Sequence, residues 1–425
     1  MRSSTGAASL LRRPGRFRRL LASHVVSLVG DEVSLIAIPL VAVLALHASP
    51  AQMGLLAAAA GAPMLLLPLH VGAWIDRVGR ARESMIAADL GRALLTAWIP
   101  IGWALGALDA WHLYAVAFLT GALGVASSVA HSTVFVSLVP RSLYLEANSL
   151  IQGGRAFSRA LGAGFGGVLV QALTAPVAVF VDAMSFLASA LLVAGTPAPR
   201  RETAPSVPPG PPVTRYSVGA GVAWIVRHAV VRSSLAAVAT INFFLFGFYA
   251  LFVLYATRTL GLRAPALGLV AGGAAVGAIC GSAATARISR RVGIGPAFTA
   301  GCVAFPAPLM VVAALPAATS RTTVVPLLFA AQFASGFGLM LLEVTGGTIR
   351  TALIPTEVRA RVVGAHALIN KGARPLGGLI GGLGGSAIGI RPTIALATIG
   401  ATAAVLWLIP SPLPRMRTLP AKTAT

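Results

Sequence analysis

Charged residues are scarce: Asp, Glu, Lys and Arg together make up 10% of 425 residues, against 56% hydrophobic ones. A soluble chain of this length needs about a quarter of its residues charged to cover its surface, so that class is excluded. Lipid removes the need, because apolar side chains can face it directly. Acidic residues are scarcest, 11 against 33 basic ones. Lysine is nearly absent, since 31 of the basic residues are arginine, which with abundant Ala and Gly fits a GC-rich coding genome. The only cysteines, Cys280 and Cys302, fall inside apolar runs, which argues against a disulfide framework. There is no G-x-x-x-x-G-K-[ST] loop and no large polar domain to hold a nucleotide. No His/Cys/carboxylate cluster has metal-ligand spacing and no nucleophile–base motif appears, so neither a cofactor nor an enzyme is expected.

What is present is a series of apolar runs. They fall near 20–46, 52–71, 84–107, 113–137, 148–172, 175–195, 233–258, 266–288, 296–317, 323–347, 363–388 and 392–411. A helical span needs about 20 apolar residues, so the expected fold is an all-α integral membrane protein of about twelve transmembrane helices. The organisation predicted is a basic tail at 1–19, a six-helix half at 20–195, a linker at 196–232, a second half at 233–411 and a tail at 412–425. The run after the first tail is too long for a signal peptide and lacks a small-residue cleavage site. The linker holds seven prolines between Pro197 and Pro212 and is expected to be extended. Its last part, 215–232, reads as an amphipathic helix on the inner leaflet.

The net charge of +22 does not mark a nucleic-acid binder, because the basic residues cap apolar runs instead of forming one stripe. Twenty-four lie in the tails and alternate loops, four (Arg258, Arg263, Arg321 and Arg391) in the opposite loops, and five within runs. That asymmetry places both termini in the cytoplasm. An internal repeat agrees. Arg159-Ala-Leu161-Gly162 with Gly166-Gly167 recurs as Arg374-Pro-Leu376-Gly377 with Gly381-Gly382, and Pro140 recurs as Pro355, both offset by 215. Arg77-Val78-Gly79 recurs as Arg291-Val292-Gly293, offset by 214. Two copies of a six-helix unit in the same orientation imply a cavity that opens alternately to either side.

The loop after the second run reads Gly72-Ala-Trp-Ile-Asp76-Arg77-Val-Gly79-Arg80-Ala-Arg82. A carboxylate at a helix end followed by Arg-x-Gly-Arg resembles the loop signature of the major facilitator superfamily. The resemblance implies that Asp76, Arg77 and Arg80, with the turn glycines Gly72 and Gly79, help latch the two halves on the cytoplasmic side. In the second half Arg290 stands where the aspartate is expected, so the latch is asymmetric. Within the superfamily the chain is similar to the branch of enterobactin exporters and macrolide efflux proteins. Val29-Gly30-Asp31, Ala88-Asp89-Leu-Gly-Arg92, Leu138-Val-Pro140, Ala147-Asn148, Val181-Asp182-Ala-Met-Ser185-Phe186 and Ile354-Pro355 carry that likeness. The G-P-x-x-G-G element of many antiporters lacks its proline here.

Each ionisable residue at membrane depth costs about 2.5–3.5 kcal/mol on insertion scales. Asp31, near the middle of the first run, is the leading candidate for proton binding. Glu32 lies about 100° round the helix, so the two acids cannot face the same way. Glu343 is a second candidate for a proton or a cationic substrate, or a partner of Lys371 or Arg374. His131 reads as a titratable group or a packed histidine. Asn242, Phe243, Phe244, Phe246 and Tyr249 form a possible aromatic wall for an amphiphile. Arg155, Arg159, Lys371 and Arg374 either neutralise a substrate carboxylate or line the fold structurally. Asp89 and Arg92, one turn apart, are expected to pair. The resemblance marks Asp182 as a family feature, and no local pattern in the sequence accounts for it.

The expected function is secondary active export of small hydrophobic or amphiphilic molecules, driven by a proton gradient, by a monomer in a bacterial cytoplasmic membrane. An importer or facilitator on the same fold, and a non-transporting receptor or assembly protein, stand as alternatives. The expected partners are a small-molecule substrate and the lipid bilayer.

Overall fold

The computed structural model describes residues 15–140, 143–196, 215–316, 320–355 and 358–418. The predicted basic tail up to residue 14, most of the proline-rich linker (197–214) and the end of the C-terminal tail (419–425) lie outside the described residues, as do the side chains of Asp76 and Arg159. Among the described residues every regular element is a helix. In chain order they are α1 (Arg16–Leu40, prolonged by a π turn, Val41–Ala45), α2 (Pro50–Leu66), α3 (Pro68–Val78), α4 (Ala81–Ala104), α5 (Ala110–Leu138), α6 (Tyr144–Leu173), α7 (Ala175–Ala194) and α8 (Arg215–Arg227). Then follow α9 (Ala229–Arg258), α10 (Ala264–Val292), α11 (Ile294–Ala304), α12 (Met310–Ala314), α13 (Arg321–Leu353), α14 (Arg359–Ala387) and α15 (Ile390–Ala403).

Nine of the described helices or continuous helical runs are long and apolar enough to cross a membrane. The other three expected spans are recognisable for separate reasons. The second run is broken at Leu67 by Pro68, whose ring cannot continue the hydrogen-bond ladder, and so becomes α2 and α3. α6 and α14, at 30 and 29 residues, exceed the length needed to span, but they carry Arg155, Arg159, Lys371 and Arg374. The ninth run departs from one straight helix too. It stops at Ala304 and resumes at Met310 after a 3₁₀ turn next to Pro306.

The chain forms two compact units. One comprises Met1–Ala48, Ala59–Val207 and Arg263–Gly268, the other Ser49–Ala58, Pro208–Leu262 and Leu269–Thr425. In the first, α1 packs on α6 and α7, and α4 on α5 and α7. In the second, α9 packs on α14 and α15, and α11 on α13. The same pairings at equivalent places are what a duplicated six-helix unit requires.

Lipid gives apolar helices no hydrophobic reason to associate, so close backbone approach does the work. Gly273, Gly277 and Gly281 recur every four residues on α10 and meet the carbonyls of Phe329, Phe333 and Phe337 on α13. A β-carbon at Gly273 or Gly281 would lie 2.6 Å from its carbonyl oxygen, and one at Gly277 would overlap it. In the first unit, Phe17, Leu20, Ile75, Met85, Val134, Phe135 and Ile151 close an apolar cluster at one end of the bundle.

The segment expected as an amphipathic surface helix is helical only to Arg227. Its apolar face is covered by protein: α8 packs on α14, and Ile225 is buried with Val231, Leu235, Ile354 and Val362.

Candidate functional site

Two polar stripes face each other inside the first unit. On α1, Ser27, Asp31 and Ser34 are spaced four and three residues apart, which places them on one face. On α7, Asp182, Ser185 and Ser189 are spaced three and four residues apart and likewise share one face. Gly30 makes the approach possible, because a β-carbon there would overlap Asp182 Oδ1 and Ser185 Oγ.

Arg92, from α4, enters between the two stripes. Its Nη2 donates to Asp31 Oδ1 at 2.5 Å and its Nη1 to Ser27 Oγ at 3.4 Å. The guanidinium lies over the Phe186 ring of α7, 3.8 Å from the centroid, a cation–π contact strengthened by desolvation. Its Nε, also buried, has no hydrogen-bond partner.

The expected pairing of Asp89 with Arg92 does not form. Asp89 is buried and accepts from Ser127 (3.0 Å) and Ser189 (2.7 Å). With both oxygens filled by hydroxyls, the long Arg92 side chain is free to reach the neighbouring helix. Asp182 is equally buried, accepting from Ser34 at one oxygen and from Ser185 at the other (3.1 Å). Three carboxyl groups and one guanidinium therefore sit in three neighbouring hydrogen-bonded groups that act on one another through their charges. Only Asp31 is appreciably open, its side chain retaining 40% exposure against 10% for Arg92. Asp31, Asp89 and Arg92 were legible as in-span charges. Ser27, Ser34 and Ser189 are not evident as partners from the sequence, although their three-, four- and seven-residue spacing from Asp31 and Asp182 is visible there.

A second group lies beside this cluster. His131 stacks on His24, with ring centroids 4.5 Å apart, and Arg155 Nε donates to His24 Nε2 at 3.3 Å. A guanidinium only donates, so His24 is the acceptor and is neutral in this arrangement. His131 is packed, and its Nε2 has no partner.

The loop signature ends α3. Gly79 closes the helix with φ +62°, its N–H bonded to Ile75 O at 3.0 Å, a conformation glycine adopts without strain. Gly72 faces open space, and Arg77 and Arg80 are exposed. Arg82, the last arginine of the signature, has a definite role: it donates to Val193 O and Ala194 O at 3.3 and 2.5 Å. Arg19 donates to Gly195 O beside it. Two cations thus satisfy the orphan carbonyls at the C-terminus of α7 and oppose its dipole.

In the second unit, Asn242 Nδ2 donates to Asn370 Oδ1 at 2.5 Å, joining α9 to α14. The expected aromatic wall divides. The Phe244 ring packs on Gly400, and the Phe243 ring stands edge-on to it at 5.2 Å, while the backbone carbonyl of Phe243 meets Gly377. Phe246 carries Arg374 over its ring at 5.1 Å and lies 6.4 Å, edge on, from Tyr249. Lys371 lies within electrostatic reach of Arg374, and Glu343 within reach of Arg350 on its own helix. Glu32 is partly buried. No group of His, Cys, Asp or Glu among the described residues is arranged to hold a metal ion.

Residues 20–323 match the Major Facilitator Superfamily. The chain belongs to that family. It is 25% identical over 406 residues to the multidrug efflux pump Tap of Mycolicibacterium fortuitum, covering 92% of this chain and 93% of that pump. Its fold is similar to that of the nucleoside transporter NupG, with a TM-score of 0.74 at 10% identity over 92% of this chain and 98% of that one. It is also similar to a D-xylose-proton symporter, with a TM-score of 0.66 at 13% identity over 92% and 97%. The protein is a multi-pass transporter of the bacterial cytoplasmic membrane, not an enzyme.

Proposed function

We propose that this transporter exports small hydrophobic or amphiphilic molecules, such as a drug, an antibiotic or a siderophore, in exchange for protons by alternating access. The observation that carries the reading is the Asp31–Arg92 pair, an in-span carboxylate that stays 40% exposed while its partner is anchored on another helix. A carboxylate so placed can exchange its guanidinium for a proton or for a cationic group on a substrate. A proton returning down the membrane potential yields about 2.3 kcal/mol per 100 mV, enough to drive a modest gradient. The 25% identity to a multidrug efflux pump along nearly the whole of both chains favours export of amphiphiles over uptake of a polar nutrient.

In this reading Glu32 and Glu343 assist, and Phe246, Tyr249 and Asn242 offer an aromatic and amide surface to the cargo. Asp76, Arg77 and Arg80 act as the cytoplasmic latch, and both termini are cytoplasmic, following the 24-to-4 distribution of basic residues.

Ethidium serves as the test cargo. Everted vesicles made acidic inside should accumulate it and release protons as they do so. Asp31→Asn should abolish both while the protein still inserts. Undiminished uphill ethidium transport by that variant would remove Asp31 from the coupling mechanism, and ethidium movement only toward the cytoplasmic face would reverse the direction.

A further inference from the structure

We infer that Asp182 on α7, and not Asp31, is the group that holds the coupled proton, and that Arg92 is the positioning residue that senses whether the proton is there. The inference rests on the proton-coupled reading above and assigns its proton to one side chain.

Charge counting is the first argument. Asp31, Asp89 and Asp182 share one cation, Arg92. With all three ionised, the cluster would hold two uncompensated negative charges inside the bundle, where each buried unpaired charge costs several kcal/mol. A proton removes one of them, and the geometry decides which carboxyl takes it. Asp31 is held by Arg92 at 2.5 Å and so has its own counter-charge. Asp89 sits one turn from Arg92 on the same helix, and Arg92 is the charged group that acts on it most strongly. Asp182 is as buried as Asp89 and, like it, is bonded only by neutral hydroxyls, those of Ser34 and Ser185. It differs in lying on α7, away from the helix that carries Arg92, and Asp31, a like charge, acts on it more strongly than Arg92 does.

The charged groups that act on Asp182 are Asp31 and Arg92. Of the helices packed on α7, α1 brings Asp31, with Glu32 and His24 elsewhere on the same helix. α4 brings Asp89 and Arg92. α6 brings Arg155, which is engaged with His24. α7 itself carries no other charged residue.

The hydroxyl partners suit both protonation states, because a serine can donate to a carboxylate or accept from a carboxylic acid. When the proton leaves Asp182, a second negative charge appears beside Phe186, over which Arg92 is stacked. The unpartnered Nε–H of Arg92 is a donor available to answer it. Drawing Arg92 toward α7 loosens its hold on Asp31 and frees the one exposed carboxylate of the cluster for a cationic cargo. Proton and cargo would then compete through a single guanidinium.

Infrared difference spectroscopy of the full chain in liposomes, titrated with pH and without any cargo, reads the C=O stretch of protonated carboxyls directly. Among the carboxyl bands that grow on acidification, one is expected to be absent in Asp182→Asn and retained in Asp31→Asn. Ser34→Ala keeps the acid but removes one hydroxyl, and should shift both the band and its midpoint; this holds even where Asp182→Asn fails to fold. A band that survives in a folded Asp182→Asn and disappears in Asp31→Asn or Asp89→Asn overturns the assignment. So does a folded Asp182→Asn that loses no titrating band, or a Ser34→Ala spectrum identical to the parent. In parallel, proton-driven ethidium accumulation should be lost in Asp182→Asn. If the Asp182 band is present but the unsubstituted protein moves ethidium equally with and without a proton gradient, the site assignment is supported and the coupled-exporter reading falls.

Discussion

Gly30 of α1 and Asp182 of α7 are in backbone-to-side-chain contact, so close that a β-carbon on Gly30 would occupy the space of Asp182 Oδ1. Gly30 is therefore fixed by the carboxyl it faces, one residue before Asp31. Gly30→Ala should push α1 and α7 apart or turn Asp182 and Ser185 out of the cluster. Overpacking of this kind costs about 1–3 kcal/mol. A thermal-unfolding midpoint equal to the parent's, with coupled ethidium transport intact, would show that the contact is not needed.

Helix packing in the second unit gives a test independent of chemistry. Gly277→Val should separate α10 from α13, because the added carbons meet the Phe333 carbonyl, and should cost about 1–3 kcal/mol. Gly272, five residues earlier, has no neighbouring group within 4 Å of its β-carbon position. Gly272→Ala should be neutral, or stabilising by up to about 1 kcal/mol through helix propensity. Unfolding in detergent, read by circular dichroism, compares the two, and equal losses would contradict the close-approach account.

The fold was largely legible because lipid imposes a simple rule, a long apolar run for each crossing, and the chain obeys it. The exceptions had physical causes in plain view: Pro68 divides the second run, and Pro306 with Pro308 interrupts the ninth. Asp31 and Arg92 stood out as charges where charge is costly. Their partnership did not, because an in-sequence neighbour, Asp89, offered an i,i+3 alternative that tertiary packing overrode. Asp182 stayed unexplained for the same reason: its ligands, Ser34 and Ser185, are small residues equally at home in helix packing, and only the meeting of α1 with α7 gives them a function. In the sequence, Arg82 is only the last arginine of the loop signature. Its capping of α7, more than 110 residues away, depends on a contact no local pattern encodes.

Asp109, in the connection before α5, caps that helix. Its carboxylate accepts the His112 N–H at 3.1 Å and faces the His112 ring at 3.0 Å. The His112 backbone bond, then the nearby ring, hold its carboxyl below the usual carboxylate range. With the folded value depressed, the cap's contribution is complete above the unfolded value of about 3.9 and is lost as pH falls through the lower folded one. Exchange of the His112 amide, corrected for its intrinsic pH dependence, should quicken across that acid window. Asp109→Ala should exchange fast at every pH, whereas Asp109→Asn, with a neutral acceptor oxygen, should keep partial protection that does not vary across that window. Protection in the parent that ignores pH would exclude the carboxylate as the cap.

Arg92 is the residue on which the whole cluster depends, and its energetics are separable by a double-mutant cycle with Asp31. Arg92→Met leaves three carboxyls without a cation. Breaking a fully buried pair costs about 3–5 kcal/mol; the 40% exposure of Asp31 lowers the expectation to about 2–3 kcal/mol. Asp31→Asn alone removes one of the competing carboxylates and should cost less. Because Asp31→Asn also lightens the negative charge that Arg92→Met leaves behind, the double variant should be more stable than the sum of the single losses predicts, with a coupling of about 1–3 kcal/mol. Neither single variant should transport ethidium uphill, since each removes one side of the exchange. Thermal unfolding of the four proteins in the same detergent measures the cycle. Additive losses would mean that the 2.5 Å contact contributes nothing, and that Arg92 is held by Phe186 and Ser27 alone.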